Sequence, residues 1–182
     1  MKDLMFLLPQ IGYDQEIIIQ AEYVESIMLP ALEHEAGHIA AAYHYGARLL
    51  GIGVGFMPER NQQGMFMVAL YQSEDWTIET HCVVKAAGPA ADVLFFGGFS
   101  EKGASGDLAD IEGLTGKASL DPYLGVAKEI LATYAEQIKC IAAALRERLE
   151  NVEERRLGTL PGGRIGALIL DESQLMQCVA SK

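Results

Sequence analysis

The chain has 182 residues, of which 50% are hydrophobic and 21% are charged, and its formal net charge is −11. This composition indicates a folded globular protein rather than a disordered one, and we interpret it as a single domain over 1–182. The negative charge argues against a nucleic-acid partner, and no apolar run approaches the roughly 20 residues of a membrane span.

The first half of the chain predicts two helices followed by a β-hairpin. Residues from about 14 to 29 have helical spacing, and Pro30 suits the first turn of a second helix. That second helix carries ALEHEAGHIAAAYHY and is expected to end at Gly46. Alternating apolar residues predict strands over 48–56 and 65–71, with a turn at NQQG. In the first strand, glycines alternate with the apolar residues and indicate that another segment packs closely against the strand. Our first candidate for that segment is the preceding helix, which carries HEAGH.

The second half of the chain is mainly helical by pattern. Residues 75–96 are helical with an expected break at Gly88–Pro89, and the Gly-rich loop GGFSEKGASGD follows. The longest helical pattern runs over 121–154, LPGGRIG predicts a turn, and Asp171 is a plausible cap for a short last helix. The predicted fold class is therefore α+β and mainly helical, with the helix that carries HEAGH packed on a small hairpin or sheet and a long C-terminal helical region.

The three cysteines, Cys82, Cys140 and Cys178, lie far apart and form no CxxC pair. The N-terminal MFLLP is too short for the core of a signal peptide, so nothing points to an oxidising compartment. We expect a cytoplasmic protein with reduced cysteines.

The stretch HEAGH indicates a metal site. On an α-helix, residues 34 and 38 are about 40° and roughly 6 Å apart, so His34 and His38 share a face and can bind one ion. Zinc suits such nitrogen donors, and Glu35 lies where it can take a proton from water activated by the ion. The alternative is a structural pair of partly buried histidines that are hydrogen-bonded by Glu33 and Glu35.

Spacing leaves the third ligand open. His44 would lie about 280° round the helix from His34 and roughly 15 Å along it, which is out of reach of the same ion. The remaining candidates are acidic residues and one histidine further along the chain: Glu74, Asp75, Glu79, His81, Asp92, Asp107 and Asp110. The Gly-rich segment GASGDLADI favours Asp107 or Asp110, between which spacing does not decide.

Three segments together resemble the peptidase domain of the FtsH-type membrane proteases, the M41 zinc metallopeptidases. HEAGH matches the zinc helix of that family, AAGPAADVLFFG is similar to its GGRAAEE helix, and GASGDLADI is similar to its GASNDI segment. The resemblance implies a zinc ion held by His34, His38 and Asp107, with Glu35 as the catalytic base. It also places Asp92 where the family has a glutamate, and we interpret Asp92 as support for a zinc-binding histidine.

The chain departs from that family in ways that bear on function. GGR reads AGP here, and IEGLTGKAS lacks the first glycine and the hydroxyl residue of a P-loop, so no ATP site is expected.

Our first hypothesis is an ATP-independent zinc metallopeptidase that acts on unfolded or flexible polypeptides. A sheet edge that includes Met65, Met67 and Ala69 would bind the substrate. The alternatives are an inactive peptidase-like module that binds a protein, and the proteolytic partner of a separate ATPase. The sequence leaves a homo-oligomer open.

Overall fold

The computed structural model describes residues 4–7, 16–19, 28–56, 65–150, 154–156, 158–159 and 165–180. Within these ranges the protein is mainly helical with small sheets, which confirms the predicted α+β class. The helices are α1 (Leu32–His44), α2 (Ile78–Phe96), α3 (Ser105–Thr115), α4 (Asp121–Thr133), α5 (Ala135–Glu150) and α6 (Glu172–Val179). The strands are β1 (Leu4–Leu7), β2 (Glu16–Ile19), β3 (Arg48–Phe56), β4 (Met65–Gln72), β5 (Glu154–Arg156), β6 (Gly158–Thr159) and β7 (Ile165–Asp171).

Helix α1 begins and ends as its sequence predicts. A short 3₁₀ turn, Leu29–Ala31, contains Pro30 and leads into it. After the last turn, Gly46 takes a φ of +72°, a conformation that glycine adopts without the steric cost that other residues meet. Small residues on α1 and α2 let the two helices approach closely: a Cβ built on Gly37 would lie 2.7 Å from the carbonyl oxygen of Ala87 and 2.7 Å from the Cβ of Ala91.

The predicted hairpin is confirmed, within a larger sheet. Strands β3 and β4 pair antiparallel, with Ile52 opposite Ala69. The sheet has four strands in the order β4-β3-β7-β6, so β4 is an edge strand. Strand β7 was not predicted, because its apolar run follows a Gly-rich stretch that we interpreted as a turn. The NQQG turn and most of LPGGRIG lie outside the described residues.

Two of the glycines of β3, Gly51 and Gly55, pack closely against neighbouring strands of the sheet, so the preceding helix, our first candidate, is wrong at these two positions. A Cβ on Gly51, where φ is +148°, would contact the side chain of Leu168 and the carbonyl oxygen of Leu170 on β7. A Cβ on Gly55 would collide with the ring of Phe66 on β4. The close contacts arise because β3 lies between two neighbouring strands.

Two predicted helix boundaries are wrong. Helix α2 runs through Gly88 and Pro89 without a break. Proline in a helix interior costs about 3 kcal/mol or more, but both residues are buried between helices, where packing offsets that cost. The long pattern after Asp121 is two helices, α4 and α5, which meet at Tyr134.

The last helix agrees with its predicted cap. The Asp171 side chain accepts a hydrogen bond from the backbone N–H of Gln174, and the Gln174 side chain accepts one from the backbone N–H of Asp171. These reciprocal bonds fix the start of α6.

A second small sheet has the order β2-β1-β5, with β2 antiparallel and β5 parallel to β1. Residues Glu16–Ile19 therefore form a strand, and the helix predicted from about 14 to 29 is wrong over them. The three consecutive isoleucines of EIII are β-branched and favour a strand. The part of the predicted helix at 20–27 lies outside the described residues.

Cys140 on α5 and Cys178 on α6 form a disulfide, with 5.5 Å between their Cα atoms, whereas Cys82 is free and buried. The expectation of three reduced cysteines is therefore wrong for this pair, because α5 and α6 pack side by side and bring residues 38 apart in sequence into contact. Among the described residues, no helix combines the length and the apolar character that crossing a membrane requires.

Candidate metal centre

His34, His38 and Asp107 form a buried group at the junction of α1, α2 and α3. One ligand atom from each side chain lies within 4.8 Å of the others. The Nε2 atom of His34 is 3.1 Å from Oδ2 of Asp107, and the Nε2 atom of His38 is 3.3 Å from Oδ1 of Asp107. Residues 73 apart in sequence therefore converge, and this group could hold a metal ion.

The other nitrogen of each histidine is fixed by a hydrogen bond. His34 Nδ1 lies 2.8 Å from Oδ2 of Asp92, and His38 Nδ1 lies 2.8 Å from the carbonyl oxygen of Val84. A carbonyl oxygen only accepts, so Nδ1 of His38 carries the proton and donates it. In the neutral ring Nε2 then presents a lone pair toward Asp107, which is the tautomer that a metal ligand needs.

The spacing of these atoms suits a shared ion as well as direct hydrogen bonds from protonated rings. A lone pair on a neutral imidazole and a carboxylate oxygen repel each other unless a proton or a cation lies between them. Ligands about 2.0–2.1 Å from a tetrahedral zinc ion are about 3.3–3.4 Å apart, which is close to the two distances observed.

Electrostatics in the metal-free group show how strongly these side chains interact. Burial alone would lower the pKa of His34, but hydrogen bonds to Asp107 and Asp92 and the charge of Glu35 raise this pKa to about 10. Burial alone would raise the pKa of Asp107, but the charge of His38 and hydrogen bonds from both histidines lower it. Asp107 is therefore the ionised partner of the group, as a metal ligand must be.

Gly88 provides the space in which the two histidines converge. A Cβ built on this residue would collide with Nε2 of both His34 and His38. Any larger residue at this position of α2 would occupy the place where their lone pairs point. The sequence pattern at Gly88 predicted only a helix break. Asp92, one turn further along α2, was the available sign that this stretch faces the histidines.

Glu35 lies beside the group and is held by the sheet. Its side chain is 9% exposed, and Oε2 accepts a 2.7 Å hydrogen bond from the backbone N–H of Ala69 on β4. The charge of Glu35 acts on His34, so the carboxylate is near the metal centre without belonging to it. The arrangement combines a metal-ligand set with an adjacent carboxylate at a sheet edge.

The other candidates for the third ligand lie elsewhere. Asp110, which spacing did not distinguish from Asp107, forms an ion pair with Lys85 of α2. His44 is exposed and contacts Tyr134, and the ring of His81 contacts Trp76. The remaining acidic candidates, Glu74, Asp75 and Glu79, are exposed. Asp92 contacts His34 through Nδ1, on the far side of the ring from Nε2.

Of the three residues predicted to bind substrate, Met67 and Ala69 have described side chains. Met67 is 8% exposed and packs in the hydrophobic core, so its side chain does not line an open cleft. Ala69 is half-buried beside that core and contacts Glu35 through its backbone. The side chain of Met65 lies outside the described residues.

No family model matches this sequence, and no curated protein matches it either. The resemblance to the M41 peptidases thus stays a prediction from the motifs.

Proposed function

We propose that this protein is a zinc metallopeptidase that hydrolyses peptide bonds in unfolded or flexible polypeptides without using ATP. The observation that carries the proposal is the convergence of the Nε2 atoms of His34 and His38 on Asp107, with Glu35 beside them. The M41-like motifs at the same residues support it. The cytoplasm as its compartment stays a prediction of the sequence, and the disulfide between Cys140 and Cys178 does not support it, because cytosolic thiols are kept reduced.

Zinc is the ion that these residues suit best. Two imidazole nitrogens and one carboxylate oxygen make up a common set of protein ligands for catalytic zinc, and they leave a fourth position open. When bound, zinc supplies Lewis-acid chemistry: it polarises a carbonyl group and lowers the pKa of water toward about 7.

Glu35 acts as the general base. As the water oxygen attacks the scissile carbonyl carbon, one proton of the water passes to the Glu35 carboxylate. Glu35 then returns this proton to the amide nitrogen as the C–N bond breaks, so the products are a new carboxylate and a new amine. The hydrogen bond from Ala69 holds one carboxylate oxygen in place during both transfers.

Strand β4 offers a place for an extended substrate. It is an edge of the four-stranded sheet, and the N–H of Ala69 points away from β3 toward Glu35. A peptide that paired with the backbone of this edge on either side of Ala69, whose own N–H is bound to Glu35, would lie beside the catalytic base. Backbone pairing of this kind accepts many sequences, which fits unfolded polypeptides as the substrate class.

The test is cleavage of unfolded casein by zinc-loaded protein and by Glu35→Gln. The variant keeps the side-chain shape and the metal ligands but removes the base, so we expect bound zinc to be unchanged and kcat to fall by about 10²–10⁴-fold. Glu33→Gln, two residues earlier on the same helix, is the matched control and should cleave like wild type. Casein cleavage that persists in Glu35→Gln would exclude this mechanism.

The same assay separates the two alternatives. A wild-type protein that binds zinc and cleaves nothing would favour the protein-binding module. Cleavage that appears only after a separate ATPase and ATP are added would favour the proteolytic partner of such an ATPase.

A further inference from the structure

The third ligand of the candidate centre comes from a different helix than the two histidines. His34 and His38 lie on α1 and Asp107 lies on α3, so one ion reaches all three only when α3 has the right rotation. Distances from a metal ion to its ligands vary by only about 0.2 Å. The outer edge of a helix lies about 5–6 Å from its axis, so a rotation by ~10° would move a carboxylate by about 1 Å. Contacts of α3 itself must therefore fix its rotation.

Helix α3 has few apolar anchors among the described residues. It packs extensively only on α2, and only two of its side chains, those of Asp107 and Ile111, are buried. Its N-cap residue, Ala104, makes no side-chain cap hydrogen bond, and residues 97–103, which lead into the helix, are exposed. Apolar contacts are not directional, so they limit the rotation of a helix less strictly than a polar bond does.

An ion pair between Lys85 of α2 and Asp110 of α3 supplies a directional contact. Nζ of Lys85 lies 2.5 Å from Oδ2 of Asp110. Asp110 follows Asp107 by three residues, so the two carboxylates lie on the same side of α3. In the part of the chain that the structure describes, this pair is the only polar contact of an α3 side chain with another helix or strand apart from the contacts of Asp107. The pair therefore turns the side of α3 that carries Asp107 toward α2.

The same turn of α2 also orients a histidine. The carbonyl oxygen of Val84, the residue before Lys85, accepts the 2.8 Å hydrogen bond from Nδ1 of His38. One turn of α2 thus holds a ligand from α1 through its backbone and the helix of the third ligand through a side chain. Lys85 is therefore well placed to align the two helices that supply the ligands.

We propose that Lys85 and Asp110 are positioning residues: their ion pair sets the rotation of α3 at which Asp107 reaches the ion. The inference rests on the proposed function, because it concerns the third ligand of the same metal centre. The side chains of Lys85 and Asp110 are 31% and 52% exposed, and ion pairs with this exposure contribute little to overall stability. Loss of the pair should therefore change the affinity for zinc and not the stability of the metal-free protein.

The sign of the change separates positioning from the charge of Lys85 itself. A cation near the centre repels zinc, so if charge alone mattered, removal of the ammonium group would raise the affinity for zinc. Loss of positioning has the opposite sign, because Asp107 would be presented to the ion less well. A substitution of Asp110 does not make this distinction, since loss of its negative charge lowers the affinity in either case.

The test measures the dissociation constant for zinc by competition with a chromophoric chelator. Lys85→Met keeps a long side chain and removes the charge, and we expect its Kd to be about tenfold higher than that of wild type, the lower end of the range for residues that support metal ligands. With zinc in excess the centre still fills, so the effect appears in the affinity and not in the amount bound. Arg48→Met is the matched control: it breaks an exposed ion pair with Glu172, between β3 and α6, and should keep Kd within about twofold.

Exchange of the two charges gives a second readout. Lys85→Asp combined with Asp110→Lys restores an ion pair of the same total length in the opposite direction, so it should recover most of the affinity that Lys85→Asp alone loses. A residue that only filled space would not be rescued in this way. Urea denaturation of metal-free Lys85→Met should give a midpoint close to that of wild type, because the pair is partly exposed.

The outcomes distinguish this inference from the function on which it rests. If wild type binds zinc and Lys85→Met binds it as tightly or more tightly, the positioning role is wrong and the peptidase proposal stands. If Lys85→Met binds zinc more weakly but zinc-loaded wild type cleaves no casein, the peptidase proposal fails and the positioning role stands. If folded wild type binds no zinc, both are wrong.

Discussion

Each histidine of the candidate metal centre uses its two nitrogens for different purposes. Nδ1 of His34 is oriented by a carboxylate and Nδ1 of His38 by a backbone carbonyl, while both Nε2 atoms face Asp107. Both rings therefore present the nitrogen that is free of the orienting bond to the same buried carboxylate, as two ligands of one ion would. The orientation of the rings is therefore the residue-level argument for an ion.

Gly88→Ala tests whether the space between the histidines is required. The new Cβ would collide with both Nε2 atoms, so we expect the purified variant to contain less than a tenth of the zinc of wild type. Gly113→Ala is the matched control, because a Cβ on that residue of α3 meets nothing within 4 Å. Elemental analysis gives both values, and full zinc occupancy in folded Gly88→Ala would show that the ion does not lie between these rings.

Zinc binding should release a proton from His34. In the metal-free protein the pKa of His34 is raised to about 10, so the ring is protonated at pH 6.5, and zinc binds only the neutral imidazole. Below the raised pKa, the apparent affinity for zinc should therefore increase about tenfold for each unit of pH, because one proton must leave the ring for each zinc ion bound.

The proton release is measured by calorimetric titration with zinc at pH 6.5 in two buffers that differ in ionisation enthalpy. The difference between the two observed enthalpies should correspond to about one proton per zinc bound. Zero protons released would mean that His34 is already neutral in the metal-free protein.

At the scale of elements, the centre depends on how closely α1 and α2 approach. The contact is lined by small residues, so His38 on α1 reaches the backbone of α2 at Val84 directly. A Cβ on Gly37 would lie only 2.7 Å from the carbonyl oxygen of Ala87 across this contact. The glycine of HEAGH therefore has a packing role that is separate from metal binding.

Gly37→Ala should lower the free energy of unfolding by about 1–3 kcal/mol, the usual cost of an added methyl group in a packed interior. The backbone of Ala87, which the new Cβ would approach, cannot move away as a flexible side chain would. Urea denaturation of the metal-free proteins measures the change.

Gly125→Ala in α4 is the control for Gly37→Ala, because a Cβ there meets nothing within 4 Å. It should raise the free energy of unfolding by up to about 1 kcal/mol, since alanine favours a helix over glycine. If Gly37→Ala leaves the free energy of unfolding unchanged or raises it as Gly125→Ala does, the close contact at Gly37 does not limit packing.

The sequence predicts the elements whose patterns are local and misses those that depend on partners. Helix α1 with its Gly46 end, the β3–β4 hairpin and the Asp171 cap follow from periodicity and end signals within a few residues. Strand β7 and the unbroken α2 do not, because β7 is stabilised by pairing with β3, and Pro89 by the packing of α2. The disulfide likewise depends on contact between α5 and α6.

At the scale of the whole molecule, the candidate centre is assembled from distant parts of the chain. HEAGH predicts two facing histidines and a nearby carboxylate, because their spacing is fixed by one helix. Spacing could not choose between Asp107 and Asp110, since both lie on α3 and the choice depends on how α3 packs on α2. The structure separates them: Asp107 faces the histidines and Asp110 pairs with Lys85.

Three residues around the metal centre were not indicated by any sequence pattern. Two of them contribute a backbone group, and the third contributes the space that its missing side chain leaves. Val84 contributes a carbonyl oxygen, Ala69 contributes an N–H group, and Gly88 contributes space. None of these roles has a residue type that identifies it in a sequence. They become visible only when α2 and β4 are placed against α1.

The most direct test of the central claim is zinc content, measured by elemental analysis after zinc supplementation, in wild type, Asp107→Ala and Asp110→Ala. We predict about one zinc per chain in wild type and in Asp110→Ala, and a loss of most of it in Asp107→Ala. Absence of zinc from folded wild type, or equal zinc content in wild type and Asp107→Ala, would contradict the proposed metal centre.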